Sequence, residues 1–361
     1  MTTIYVTEPD SHLQIKNHQL LVFHQHKLDY QLPVNQVKQI ILFGSSHIER
    51  EVSSLAIFRR IPILMLDKNG EYMGCYYHLS KRQPKQFKRH FDDEFTFATA
   101  QSMIRAKLHN SCIVLQQLTS KYAAVVAKSV FSMISLQTAL DVMKLLIDDL
   151  SMATSVAELR EYEIMAATLY YPALGSFLPK EFDFQQRRQQ SPTDSINTLM
   201  NLGYTLLGQT IYNTMLQFGL HTDFSHLDHF CTHNSPMVCD FMAEFRSPLV
   251  DELVANLVIS QTLTPNDFTL PDTISGGYLY PKVLKIFLKH WEEKLDTQII
   301  HPYAGKVSYR RALELQVQEY IACLHSDVKF YRPMLLPLNT PSLVVHTTDK
   351  QKTEQLMLVK R

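Results

Sequence analysis

The segment "HLDHFCTHNSPMVCDFMAEFRSPLVDELV", His226 to Val254, gathers carboxylates, histidines and cysteines that can bind a metal or move a proton. Ser235 followed by Pro236 marks a helix start, with a capping hydroxyl and a first-turn proline. On that helix Asp240 and Glu244 stand at i and i+4, and Asp251 lies three turns beyond Asp240. The spacing therefore places all three on one face. A carboxylate pair with an incoming imidazole suits a hard divalent ion, which wants oxygen and tolerates a nitrogen. Arg246, in the same helix, can pair with a carboxylate or reach a phosphate. Two other readings compete. His226, His229, Cys231, His233 and Cys239 are zinc-ligand types, though their spacings match no standard structural zinc signature. A charged helix face is also often simply solvated.

A second candidate is Glu163 in "VAELREYEIMAATLYYPAL", beside an apolar stripe of Ala166, Ala167 and Tyr170. A carboxylate buried there unpaired is costly, so it needs a cation, a donor or water; the alternative is an ordinary helix-surface residue. Two further stretches could follow a nucleic-acid backbone. "KRQPKQFKRH", 81–90, holds five Lys or Arg and no acid, a local basic segment of the kind that tracks phosphates. "QQRRQQSPTDSIN", 185–197, is the other. A solvated linker and an exposed polar loop are the plain readings of these two.

These residues need elements to hold them. Residues 1–78 read as short strands rich in β-branched and aromatic residues: "TIYVTE", "HLQIK", "QLLVFH", "KLDYQLP", "VKQIILFG" and "IPILMLD". Asn69-Gly70 signals a hairpin. One helix is expected at 46–60, with Ser46 as N-cap and Glu49 completing a capping box. From about Asp92 the period becomes helical. A long helix begins with acids where the dipole favours them. Others follow at about 136–150, 155–171, 194–218, 236–260, 277–295 and 308–324. The expectation is an α+β chain: a small β-rich domain (1–78), a basic hinge (79–93), a larger all-helical domain (94–336) and a C-terminal tail (337–361).

Composition narrows the class. The chain of 361 residues is 45% hydrophobic and carries 35 basic and 35 acidic residues, so net charge is zero. That is enough apolar material for two cores and is not the signature of a generic nucleic-acid binder. No run of eighteen apolar residues predicts a membrane span. The N-terminus lacks a signal-peptide pattern, and five scattered cysteines make no disulfide framework. A cytoplasmic, non-membrane location is the expectation.

Several motifs together resemble CRISPR-associated protein one, the metal-dependent endonuclease and integrase family that inserts spacers into CRISPR arrays. "LREYEIMAATLYY" looks like the family's Leu-Arg-x-x-Glu-Gly-x-Ala-Ala-x-x-Tyr-Phe helix. "FDFQQRRQQSPTDSINTLMNLGYTLL", "IRAKLHN" (Lys107 and Asn110), "CDFMAEFRSPLVDELV" and "HPYAGKVSYRRAL" are also similar to family segments. The resemblance implies a dimerising N-terminal β-domain, a helical catalytic domain, and Mg2+ or Mn2+ as cofactor. It implies Glu163 and Asp240 as catalytic residues and Glu163, Asp228, His229, Asp240 and Glu244 as candidate metal ligands. Lys107, Arg187, Arg246, Lys81, Arg82, Lys85, Lys88 and Arg89 would contact DNA. The implied partners are branched or duplex DNA with 3′ ends, a second copy of the chain, CRISPR-associated protein two and a reverse transcriptase. The departures are specific. The family's ligand histidine aligns with Asp228, flanked by His226 and His229. Its third carboxylate aligns with Ala243, and the glycine after the glutamate with Ile164. A degenerate member that binds DNA and partners without cutting is the alternative these departures imply.

Overall fold

A computed structural model describes residues 2–78, 84–123, 130–188, 194–227, 235–268 and 279–337. Its described residues fall into two compact units. Those within Met1–Ser80 and Asn266–His290 form one, and those within Lys81–Pro265 and Trp291–Val345 form the other.

The first unit is β-rich, as expected. Strands β1 (Thr2–Val6), β5 (Val37–Phe43), β7 (Ile63–Leu66) and β8 (Tyr72–Tyr76) make one sheet in the order β1-β5-β7-β8. β1, β5 and β7 run parallel, with Ile40 opposite Ile63 and Leu42 opposite Met65, and β8 pairs antiparallel with β7. A second sheet, β4-β3-β2-β6, is built from β2 (Ser11–Lys16), β3 (Gln19–His24), β4 (Lys27–Pro33) and β6 (Ser46–Ile48). Alternating residues such as Leu13, Leu20 and Val22 turn inward to a core shared with Ile40, Leu42 and Ile63. Each such side chain contributes roughly 1.5–3 kcal/mol on burial. The Asn69-Gly70 signal sits where it should. Asp67 Oδ1 accepts from the Asn69 and Glu71 amides at 2.8 and 2.7 Å, and Gly70 takes φ +83°.

The helix expected at 46–60 is shorter than its sequence signal. Ser46–Ile48 pairs parallel with β2 as β6, and helix α1 covers Arg50–Arg59. The capping box does not form. Glu49 is the N-cap residue, without a side-chain cap, and its carboxylate meets His12 Nε2 at 3.0 Å. A sheet edge offered Ser46 backbone pairing that a local propensity rule does not weigh.

The second unit is mainly helical. Helix α2 (Pro84–His90) precedes the long α3 (Asp93–Lys121), which is capped by Asp92 accepting from the Phe95 amide at 3.1 Å. Then come α4 (Val130–Asp149), α5 (Val156–Gly175), α6 (Ser195–Gln217, capped by Asp194), α7 (Pro236–Met242), α8 (Glu252–Ile259), α9 (Pro281–Asp296, whose first part belongs to the β-rich unit) and α10 (Tyr309–Leu324). A two-stranded hairpin, β9 (Gln298–His301) with β10 (Gly305–Ser308), interrupts what the sequence presented as purely helical. Helix α3 packs against α4 and α5. Among the described residues no helix is long and apolar enough to cross a membrane.

The helix expected over 236–260 is broken. A π turn, Arg246–Asp251, separates α7 from α8. Pro248 supplies the reason: it has no N–H for the Glu244 carbonyl, and its ring crowds that oxygen. Asn110 Nδ2, from α3, donates to the abandoned carbonyl at 2.8 Å. The wider π turn rotates everything after it relative to Asp240.

A candidate active-site pocket on the helical unit

Glu163 is interior because of its place in α5. Ser155 caps the helix, accepting from the Glu158 amide at 3.2 Å. From there Leu159, Glu163, Ala166, Tyr170 and Ala173 recur at helical spacing on one buried stripe. A carboxylate in that stripe requires compensation. Lys107 of α3 provides it: its Nζ donates to Glu163 Oε1, with the two side chains 19% and 12% exposed. The surface-residue reading of Glu163 does not hold.

The pair lines a cavity of about 20 Å³, room for about one water molecule. Ser111, Ala243, Arg246 and Asp251 form other parts of its wall. Asp251 is fully engaged by hydroxyls, accepting from Tyr204 Oη at 2.5 Å and Tyr170 Oη at 3.0 Å. Burial pushes its carboxyl up to about 6, against the opposing pull of the two tyrosines and of Arg187 and Arg246. The same burial, with Asp251 close by, holds both tyrosines well above their ordinary range. The Arg187 and Arg246 guanidiniums lie 4.9 and 5.5 Å from the Tyr204 ring centre, a cation–π arrangement. Arg187 also donates to Asn197 Oδ1 at 2.9 Å and to Asn201. Arg246 keeps a buried Nε with no hydrogen-bond acceptor.

The other candidate carboxylates face elsewhere. Asp240 is fully buried, and its Oδ2 accepts from Ser225 Oγ at 2.9 Å and the His226 amide at 2.7 Å, holding the turn before α7. Glu244 is also fully buried. It accepts from Tyr331 Oη at 2.5 Å, the Met334 amide at 2.8 Å and Gln316 Nε2 at 3.1 Å. Burial pushes its carboxyl up to about 7 despite those three donors. The shared face expected for Asp240, Glu244 and Asp251 is thus replaced by three separate environments, because the π turn breaks the helical register. Of this segment, Ala243, Arg246, Ser247 and Asp251 line the Glu163 pocket.

Asp228 and His229 lie outside the described residues, as do Cys231 and His233 of the zinc set. Of its other members, His226 Nε2 meets Tyr320 Oη at 2.9 Å, and Cys239 is in a disulfide. Lys81 and Arg82 also lie outside. Lys85 and Lys88 are exposed. Arg89 is held by Asp92 Oδ2 and Ser326 Oγ, both at 2.9 Å, and sits over Phe95. Sequence reasoning missed Asp251 as a wall of the Glu163 pocket, together with Tyr171, Ser111 and Ser247. The signal available for Asp251 was Pro248, the residue that forces the turn.

The donor set bears on the divalent ion that the resemblance implies. Among the described residues no three His, Cys, Asp or Glu side chains are grouped to hold a metal. Glu163 already has an ammonium partner, Asp251 has two hydroxyls, and Ala243 offers a methyl group where a third carboxylate would stand. The described residues do not fit a divalent cation at this pocket.

A family model described as CRISPR associated protein Cas1 matches residues 4–293. The chain belongs to the Cas1 family. Among curated relatives, it is similar to CRISPR-associated endonuclease Cas1 4 of Methanospirillum hungatei, 26% identical, covering 92% of this chain and 91% of that one. It is also similar to CRISPR-associated endonuclease Cas1 3 of Thermus thermophilus, 27% identical over 91% and 96%. Among solved structures, a Cas6-RT-Cas1–Cas2 complex superposes with a TM-score of 0.79 at 19% identity. The alignment covers 94% of this chain but 36% of that longer chain. A casposase bound to integration product gives a TM-score of 0.77 at 20% identity over 99% and 98%. These structural likenesses establish a shared Cas1 fold, and the β-rich and helical units are its two parts.

Proposed function

We propose that this Cas1-family chain serves CRISPR adaptation as a DNA-engaging subunit of the endonuclease/integrase type, with its own strand chemistry impaired. The single observation that carries the reading is the make-up of the Glu163 pocket. Lys107 and Ala243 line it where a divalent ion would need a bare carboxylate and a third donor. What surrounds the pocket is positive charge. Arg246 borders it and Arg187 lies nearby, both against the Tyr204 ring, while Lys107 is paired with Glu163. Such groups grip and orient a DNA backbone without reading its sequence. The β-rich unit would dimerise the chain. Association with a Cas2 protein and a reverse transcriptase is supported by the superposition on the Cas6-RT-Cas1–Cas2 complex.

A second reading has its own observation. Glu163 stands where the family resemblance puts a metal ligand, beside Lys107 and Arg246. In that reading the chain is a Mg2+- or Mn2+-dependent endonuclease/integrase, with Asp228 or His229 completing the donors. Branched duplex DNA with free 3′ ends separates the two. The first reading expects binding that persists in EDTA and no joining or nicking that Glu163→Ala abolishes. Metal-dependent joining that disappears in Glu163→Ala would establish the second.

A further inference from the structure

Helix α2 and the residue that follows it present two aromatic rings, Phe87 and Phe91, to solvent beside lysines, and the helix is anchored by Gln86. Gln86 is fully buried; its Nε2 donates to the His221 carbonyl at 2.8 Å, and its Oε1 accepts from the His221 amide at 2.7 Å. Gln86 Nε2 also approaches Met237 Sδ at 3.2 Å. With Gln86 pinned inward, Phe87 and Phe91, one helical turn apart, are 59% and 68% exposed. Their ring centres are 5.1 Å apart, edge to face. Phe224 and His90 extend the patch, with Phe224 6.0 Å from Phe87 and 4.7 Å from His90. Two exposed rings side by side make a contiguous apolar patch rather than scattered single residues.

The charges around the patch select the partner. Lys85 and Lys88 are exposed on the same short helix. Arg89 is turned away, held by Asp92 and Ser326. The exposed acids Asp93 and Glu94 begin α3, and Asp223 precedes Phe224. A polyanionic backbone is therefore drawn to the Lys85–Lys88 side and repelled from the α3 side. We propose that Phe87 and Phe91 form a stacking platform for unpaired bases of single-stranded DNA, with Lys85 and Lys88 gripping its phosphates. A duplex hides its base faces in its own stack, whereas an unpaired strand offers them to aromatic side chains regardless of sequence. The inference rests on the DNA-binding reading above and adds the strand state that this surface prefers.

Fluorescence anisotropy on the full chain tests it, using a labelled oligothymidylate and a blunt duplex of equal length. Phe87→Ala/Phe91→Ala should weaken oligothymidylate binding about tenfold or more and leave the duplex unaffected. Phe87→Leu/Phe91→Leu keeps apolar bulk without rings and should lose as much. Lys85→Ala/Lys88→Ala should weaken both ligands and flatten the salt dependence for the single strand by about 0.7 per phosphate contact. Unchanged oligothymidylate binding by the phenylalanine variants, with duplex binding intact, overturns the platform and leaves the DNA reading standing. A fall from dimer to monomer in sedimentation, without loss of oligothymidylate, reassigns the patch to a protein interface and also overturns it. Failure of the unaltered chain to bind either DNA removes both readings together.

Discussion

Lys107 of α3 and Glu163 of α5 form an ion pair whose side chains are 19% and 12% exposed, on the wall of a cavity that Ala243 also lines. The pairing joins two helices and neutralises a buried acid. Lys107→Ala leaves the carboxylate buried without its ammonium, and breaking such pairs costs about 3 kcal/mol or more. The double variant Lys107→Ala/Glu163→Ala should cost less than the sum of the singles. Urea denaturation of the four proteins gives this coupling directly, and simple additivity would show that the pair is not energetically linked.

Asp251 makes stability depend on pH. Its carboxyl is raised from an ordinary 3.8 to about 6, chiefly by burial. Between these values the folded chain holds a proton that the unfolded chain has released, so this contribution is complete below about 3.8 and is lost as pH rises through 6. Relative to Asp251→Asn, the native protein should lose stability from pH 4 to 6 at no more than about 1.4 kcal/mol per pH unit, and then level off. Tyr170→Phe removes a hydroxyl donor to the ionised form, so it should move the window to higher pH. Urea midpoints at several pH values check both statements; a native-to-variant difference that ignores pH would refute the assignment.

Asn110 is the bridge between α3, the π turn and the segment after α10. Its Nδ2 donates to the Glu244 and Met334 carbonyls at 2.8 and 2.9 Å, and its Oδ1 accepts from the Leu336 amide at 2.9 Å. Asn110→Ala strands three buried backbone groups, each worth about 1–3 kcal/mol. A loss of about 3–5 kcal/mol is expected on those figures, with faster proteolysis around 331–337. Asn110→Asp should be no better, because a carboxylate would face two carbonyl oxygens. A surface-like loss of a few tenths of a kcal/mol would contradict the bridging role.

Much of this arrangement was legible in the sequence where local chemistry governs it. The strands from β1 to β5, the α3 start at Asp92 and the α6 start at Asp194 follow from alternation, caps and turn residues, which act over a few positions. The apolar spacing of α5 sets Glu163 beside Ala166, Ala167 and Tyr170, but by itself it fits a helix-surface position as well. What the sequence concealed were relationships set at a distance. Nothing local tells that Lys107, 56 positions upstream, supplies the counter-charge, or that Ser46 joins a sheet edge. The common face expected for Asp240, Glu244 and Asp251 assumed an unbroken helix, and Pro248 with Asn110 removes that assumption. Proline within a helical period was the readable warning, but the direction in which the later residues would turn depends on the packed neighbours.

Ala243 offers a gain-of-function check. Ala243→Asp introduces a buried carboxylate beside Glu163, and without metal it should lower the melting temperature because the new charge is desolvated. Manganese should then recover some of that loss by binding the folded state, and the recovery should vanish when Glu163→Ala is added. Melting curves with and without manganese would show it. A variant indifferent to the ion would mean that the wall position of residue 243 is not oriented for ligation.

The most direct test of the whole account is a calorimetric titration of the unaltered chain and of Glu163→Ala with manganese at neutral pH. The account predicts indistinguishable heats for the two, because Glu163 is already partnered by Lys107 and meets no third donor at Ala243. A saturable heat of one ion per chain, present in the unaltered protein and absent from Glu163→Ala, would contradict it and restore a metal-dependent active site.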